Sequence, residues 1–89
     1  MNKEMIDNLL KNVNDNEMLE SWLADDNDGK YKSIVIQSFP NNLVRVTNFL
    51  PDWMGGFDNL YAYSENMTVD DVVAGFAKSN NWTVRKVEH

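Results

Sequence analysis

The sequence predicts an α+β fold in the order α-α-β-β-β-α-β. It has a small antiparallel or mixed sheet, the third helix packed on one face, and an acidic N-terminal helical pair. Three observations carry that prediction. Apolar residues recur at helical spacing as far as Leu23, the period switches to β-branched runs after Tyr31, and a capped amphipathic segment begins at Thr68.

Taken in order, Met5, Ile6, Leu9, Leu10 and Val13 form one apolar stripe, which predicts a first helix over residues 2–12. Asn14, Asp15 and Asn16 break it. Asn14 with Glu17 three residues on resembles a capping arrangement for a second helix over 16–24, whose apolar face is Met18, Leu19, Trp22 and Leu23. The run Asp25-Asp26-Asn27-Asp28-Gly29 ends that helix and turns the chain. Ser33 to Gln37 reads as a strand, Phe39-Pro40-Asn41-Asn42 as a turn, and Leu43 to Phe49 as the returning strand. Leu50 to Asn59 reads as a connection rich in turn formers, followed by a short strand, Leu60 to Tyr63.

The third helix, 68–79, has the clearest signature. Thr68 is a good N-cap, Met67 can staple onto Val72, and Asp70 and Asp71 suit the positive end of the helix dipole. Val69, Val72, Val73, Phe76 and Ala77 face the core, and Asn80-Asn81 stops the helix. Trp82 to Val87 alternates as a final strand. Residues 1–89 are read as a single domain: helical hairpin 2–24, meander 31–64, helix 68–79 and strand 82–87.

Composition narrows the function classes. The chain has 43% hydrophobic residues, 11% aromatic residues and no cysteine, which removes disulfides and thiolate chemistry. The absence of cysteine, with no signal-peptide pattern near Met1 and no long apolar run, leads to the expectation of a cytoplasmic, non-membrane protein. The sequons at Asn66 and Asn81 are then chance matches. The net charge is −6, and it is lopsided. Residues 1–30 hold eight acids against three lysines, while residues 31–89 hold six acids against five bases. Such a field repels phosphate backbones, so no direct nucleic-acid binding is expected, and it attracts a basic protein.

No constellation points to catalysis, a cofactor or a metal. The one histidine, His89, is the last residue, where catalytic geometry is not expected to hold. Placing Gly29 at the sixth position of a calcium loop puts Ala24 first and Val35 twelfth, so both end ligands are missing. Gly55-Gly56 lacks the spacing and the lysine of a phosphate loop, and Asp70 and Asp71 are explained as helix N-terminal residues.

Two surfaces are candidates for partner binding. The acids Glu17, Glu20, Asp25, Asp26 and Asp28 are a docking face or a solubilising one. Trp53, Met54 and Phe57, in a Gly-containing loop, are an interface anchor or fold back to cap the sheet. The expectation is a small acidic protein-binding module that modulates or inhibits a basic, nucleic-acid-processing partner. The alternatives are a self-associating structural or assembly protein and a small enzyme or ligand-binding domain.

The order α-β-β-β-α resembles the double-stranded-RNA-binding domain. That family has a lysine cluster at the start of its last helix, where this chain has Thr68, Val69, Asp70 and Asp71, so the resemblance is not accepted. In size, acidity and lack of catalytic residues the chain is similar in type, though not in any motif, to small phage inhibitors, including DNA mimics and anti-restriction or anti-CRISPR proteins. That likeness implies action in the cytoplasm of a host cell.

Overall fold

The computed structural model describes residues 14–51 and 55–88. Their order is a 3₁₀ turn (Asp15–Glu17), β1 (Glu20–Asp26), β2 (Ser33–Phe39), β3 (Leu43–Phe49), β4 (Gly56–Ala62), α1 (Val69–Asn80) and β5 (Trp82–Lys86). The strands form one antiparallel sheet in the order β4-β3-β2-β1-β5. This corrects the expected α-α-β-β-β-α-β fold with its acidic helical pair. Among the described residues there is one α-helix, and the predicted second helix is a strand. The predicted first helix, 2–12, lies outside the described residues.

The physical reason lies in β1. Met18, Leu19, Trp22 and Leu23 fit a helical stripe, but the chain 20–26 also fits a period of two. Trp22 and Ala24 are buried on one face, and Leu23 is half-buried on the other. The strand conformation lets this segment pair on both sides, with Trp22 opposite Ile36 of β2 and opposite Lys86 of β5. A helix there would leave both neighbours' edges unpaired, and ladder pairing outweighs the few tenths of a kcal/mol per residue in local propensity.

The β2–β3 hairpin and α1 stand where the sequence puts them. Asn41 and Asn42 take φ of 69° and 59° in the hairpin turn, a region that asparagine enters more readily than most L-residues. Thr68 Oγ1 accepts the Asp71 N–H at 3.1 Å, and Asn81, at φ 58°, closes the helix by donating its N–H to the Ala77 carbonyl. Such an N-cap typically contributes about 1 kcal/mol.

β4 begins earlier than expected, at Gly56 rather than Leu60. Its register with β3 is unbroken from Phe49↔Gly56 to Leu43↔Ala62. Gly56 is required there by close approach. A Cβ on it would lie 2.6 Å from the Asn48 carbonyl oxygen and 3.3 Å from the Phe49 Cα.

β4 and β5 form the two edges, so α1 carries the chain from one edge to the other. Its 12 residues give a length of about 18 Å, comparable with the roughly 19 Å width of a five-stranded sheet. The core lies between α1 and one face of the sheet: Trp22, Ala24, Ile34, Ile36, Val44, Val46, Val73 and Trp82. Each fully buried aliphatic side chain here, such as Ile34 or Ile36, contributes on the order of 2 kcal/mol of transfer free energy. On the opposite face Arg45 stacks on buried Phe39, with its Cζ 5.1 Å from the ring centroid, and donates to Gln37 Oε1 through both Nε and Nη2. Arg45 Nη2 also meets Asp15 Oδ1 at 2.7 Å, tying the 3₁₀ turn to this face.

Candidate functional site

The sheet has two ends, and the predicted partner-binding residues divide between them. The β1–β2 turn, the end of β3 with the start of β4, and the α1–β5 turn share one end; Asp25, Asp26, Asp28 and Phe57 are there. Glu17 and Glu20 lie at the other end, separated by the length of β1, about 20 Å. The acids therefore do not form a single face. Trp53 and Met54 lie outside the described residues.

At the first end the acidic turn is built by its own carboxylates. Asp26 Oδ1 accepts the Asp28 N–H at 3.0 Å, and Oδ2 accepts the N–H groups of Lys30 at 2.9 Å and Tyr31 at 3.0 Å. Gly29, at φ 72°, lets the chain reverse and donates its N–H to the Asp26 carbonyl. Asp26 is thus the internal brace of the turn, facing N–H donors. Side-chain amides bolt the turn to the start of β5. Asn81 Nδ2 donates to Asp28 Oδ1 at 3.1 Å, and Asn27 Nδ2 donates to Thr83 Oγ1 at 3.1 Å and Asn81 Oδ1 at 3.4 Å.

Two carboxylates remain presented to solvent, Asp25 from β1 and Asp28 from the turn. Phe57, 43% exposed, stands in the same region, its ring edge-on to Tyr31 with centroids 5.8 Å apart. Lys30 Nζ lies 5.4 Å from the Tyr31 ring centroid. A hollow of about 320 Å³ opens between the turn and the helix end, lined by Asp26, Asp28, Lys30, Tyr31, Lys78 and Trp82 among others. Tyr31 and Lys30 were not singled out in the sequence. Their signal was position alone, directly after a turn whose brace is an aspartate.

At the far end the charges are paired. Asp15 meets Arg45, and Glu20 Oε2 lies 3.3 Å from Lys86 Nζ; these are the ion pairs among the described residues. Glu17 is exposed on the 3₁₀ turn. No group of three or more His, Cys, Asp or Glu side chains is placed to hold a metal ion, and no helix is long and apolar enough to cross a membrane, both among the described residues. Comparison with known proteins gives no match to a family model, a curated protein or a solved structure.

Proposed function

We propose that this chain is an acidic protein-binding module that modulates or inhibits a basic partner protein in the cytoplasm. The supporting observation is that Asp25 and Asp28, from β1 and its turn, and the exposed ring of Phe57, from β4, lie at the same end of the sheet, Asp25 on the face opposite Phe57 and all of them away from the two ion pairs. Asp25 and Asp28 are in no ion pair among the described residues, with Lys30 and Lys78 lining the hollow beside them. Such carboxylates steer a basic surface toward contact, and a half-exposed aromatic ring supplies the desolvated anchor that such surfaces use. Glu20 contributes less than the sequence suggests because Lys86 already compensates it. Asp26 contributes through the turn it holds. A partner that ordinarily binds nucleic acid is the sharpest version of this reading, since its basic groove is complementary to a net charge of −6.

The test uses the purified chain as bait in extract of its source cell, alongside Phe57→Ala and the double variant Asp25→Asn/Asp28→Asn. The expected result is one captured protein whose retention falls steeply between about 0.05 and 0.5 M salt and is weakened by both variants. Capture that is indifferent to salt and equal for all three proteins would remove the proposal.

A further inference from the structure

We propose that the outer edge of β4, with the groove between β4 and α1, takes up an extended segment of another protein in which lysine or arginine alternates with large apolar residues. This goes beyond the reading above and does not depend on Asp25 or Asp28.

β4 is the last strand of the sheet and pairs only with β3 among the described residues. The Tyr63 N–H donates to the Asn42 carbonyl at 3.0 Å, and the Leu50 N–H donates to the Gly55 carbonyl at 2.8 Å. Those two bonds and the register between them fix the phase of the ladder. Phe57, Asn59 and Tyr61 turn their peptide groups toward β3, so Asp58, Leu60 and Ala62 turn theirs outward. Proteins usually blunt such an edge with lysine, proline, a bulge or a covering element. β4 runs for seven residues without lysine, proline or a break in register. Its one charge is Asp58, which accepts a hydrogen bond from Thr47 Oγ1 at 2.6 Å.

Beside this edge, on the helix side, lies a groove of about 420 Å³. Its apolar lining comes from Tyr61, Met67, Val72 and Phe76, with Tyr61 40% and Met67 46% exposed. Gly75 of α1 leaves the groove open, because a Cβ there would meet nothing within 4 Å. A strand added to β4 would send every second side chain toward this groove, as strand geometry requires. The intervening side chains would lie beside Asp58.

Charge selects the occupant. The edge's one charge on the face the lysines would share is Asp58, and the charged residues lining the groove and the hollow next to it at the end of β4 are Asp71 and Glu65, all exposed carboxylates. A second copy would bring its own carboxylates against these, whereas a cationic segment is attracted.

The experiment titrates the ¹⁵N-labelled protein with a short peptide alternating lysine with leucine and phenylalanine, and with a control in which glutamate replaces lysine. The expected result is that the lysine peptide shifts the amide signals of Asp58, Leu60 and Ala62 and slows their exchange with solvent, while the glutamate peptide does neither. Leu60→Pro removes an outward N–H without touching the β3 ladder and is expected to abolish the effect. Gly75→Leu fills the groove while favouring the helix and is expected to weaken binding at least about tenfold. The double variant Asp25→Asn/Asp28→Asn is expected to keep it, which separates this site from the one above. Binding that survives both Leu60→Pro and Gly75→Leu would overturn the proposal. So would edge amides already protected in the free protein and exposed on dilution, which would make a second copy the occupant.

Discussion

Removal of the Asp26 carboxylate is expected to destabilise the fold by an amount that its geometry predicts. The side chain accepts three backbone N–H groups at 2.9–3.0 Å, from Asp28, Lys30 and Tyr31. A hydrogen bond to a charged group is worth about 1.5–3 kcal/mol when its loss leaves a buried donor unsatisfied. Here Asp28 and Lys30 are exposed and water can replace much of each bond, so each is worth roughly 0.5–1 kcal/mol. Asp26→Ala should therefore cost about 2 kcal/mol, a fall in Tm on the order of 10 °C for a chain of this size. Asp26→Asn keeps one acceptor oxygen and turns an NH₂ group toward a backbone donor, so it should cost about half as much. Urea unfolding measures both, with the slope m unchanged. Asp25→Ala is the control: Asp25 is exposed one residue away and should stay within about 0.5 kcal/mol of the parent. An Asp26→Ala variant as stable as the parent would refute the assignment of Asp26 as the turn's brace.

The two glycines Gly56 and Gly75 should respond in opposite directions. Gly56→Ala drives a methyl group against the Asn48 carbonyl oxygen and should destabilise by about 1–3 kcal/mol in the same unfolding assay. Gly75→Ala meets open space inside a helix and should stabilise by up to about 1 kcal/mol, seen as a higher urea midpoint. Arg45→Ala loses the stacking on Phe39 and the bonds to Gln37 as well as the ion pair, and should cost about 1–2 kcal/mol. Asp15→Ala loses only the exposed half of that pair, with 76% of its side-chain surface open, and should cost under about 1 kcal/mol in chemical unfolding.

Local signals made part of this fold readable. Thr68, Asp71 and Asn81 act within one or two turns of chain, and the structure uses each as its chemistry suggests. Pro40-Asn41-Asn42 likewise marks a turn whose backbone angles asparagine favours. What was not legible depends on partners distant in sequence. Met18, Leu19, Leu23 and Ala24 are good helix formers, and nothing within 20–26 announces that β2 and β5 flank it on either side. Because both faces of β1 are at least partly covered, the alternation that usually marks a strand is blurred. β4 hid for a different reason. Gly56, Asp58 and Asn59 are poor strand formers, tolerated because the strand is at an edge and Asp58 finds Thr47 across the ladder. The carboxylate brace of the acidic turn was invisible for the same reason that Asp26 appeared equivalent to its neighbours: five residues supply four polar side chains, and only the backbone path decides which one turns inward.

The exchange of a helix for a strand at 20–26 also redraws the electrostatics. In a helix over 16–24, rising about 1.5 Å per residue, Glu17 and Glu20 would lie within about 15 Å of Asp25 and Asp26 and add to one field. As a strand the same segment spans about 20 Å, beyond the roughly 8–10 Å over which exposed charges act together at physiological salt. The acidic third of the chain is therefore two separate regions. In one, Lys86 and Arg45, brought in from β5 and β3, compensate Glu20 and Asp15. In the other, Asp26 is consumed by the turn it braces, and Asp25 and Asp28 remain at the end of the sheet where β4 supplies the exposed ring of Phe57. The second region combines carboxylates that form no ion pair among the described residues with an exposed ring, and Lys30 and Lys78 line the hollow beside them. The proposed binding end therefore rests on the turn's geometry and the exposed ring, which a count of acids along the sequence had no means of locating.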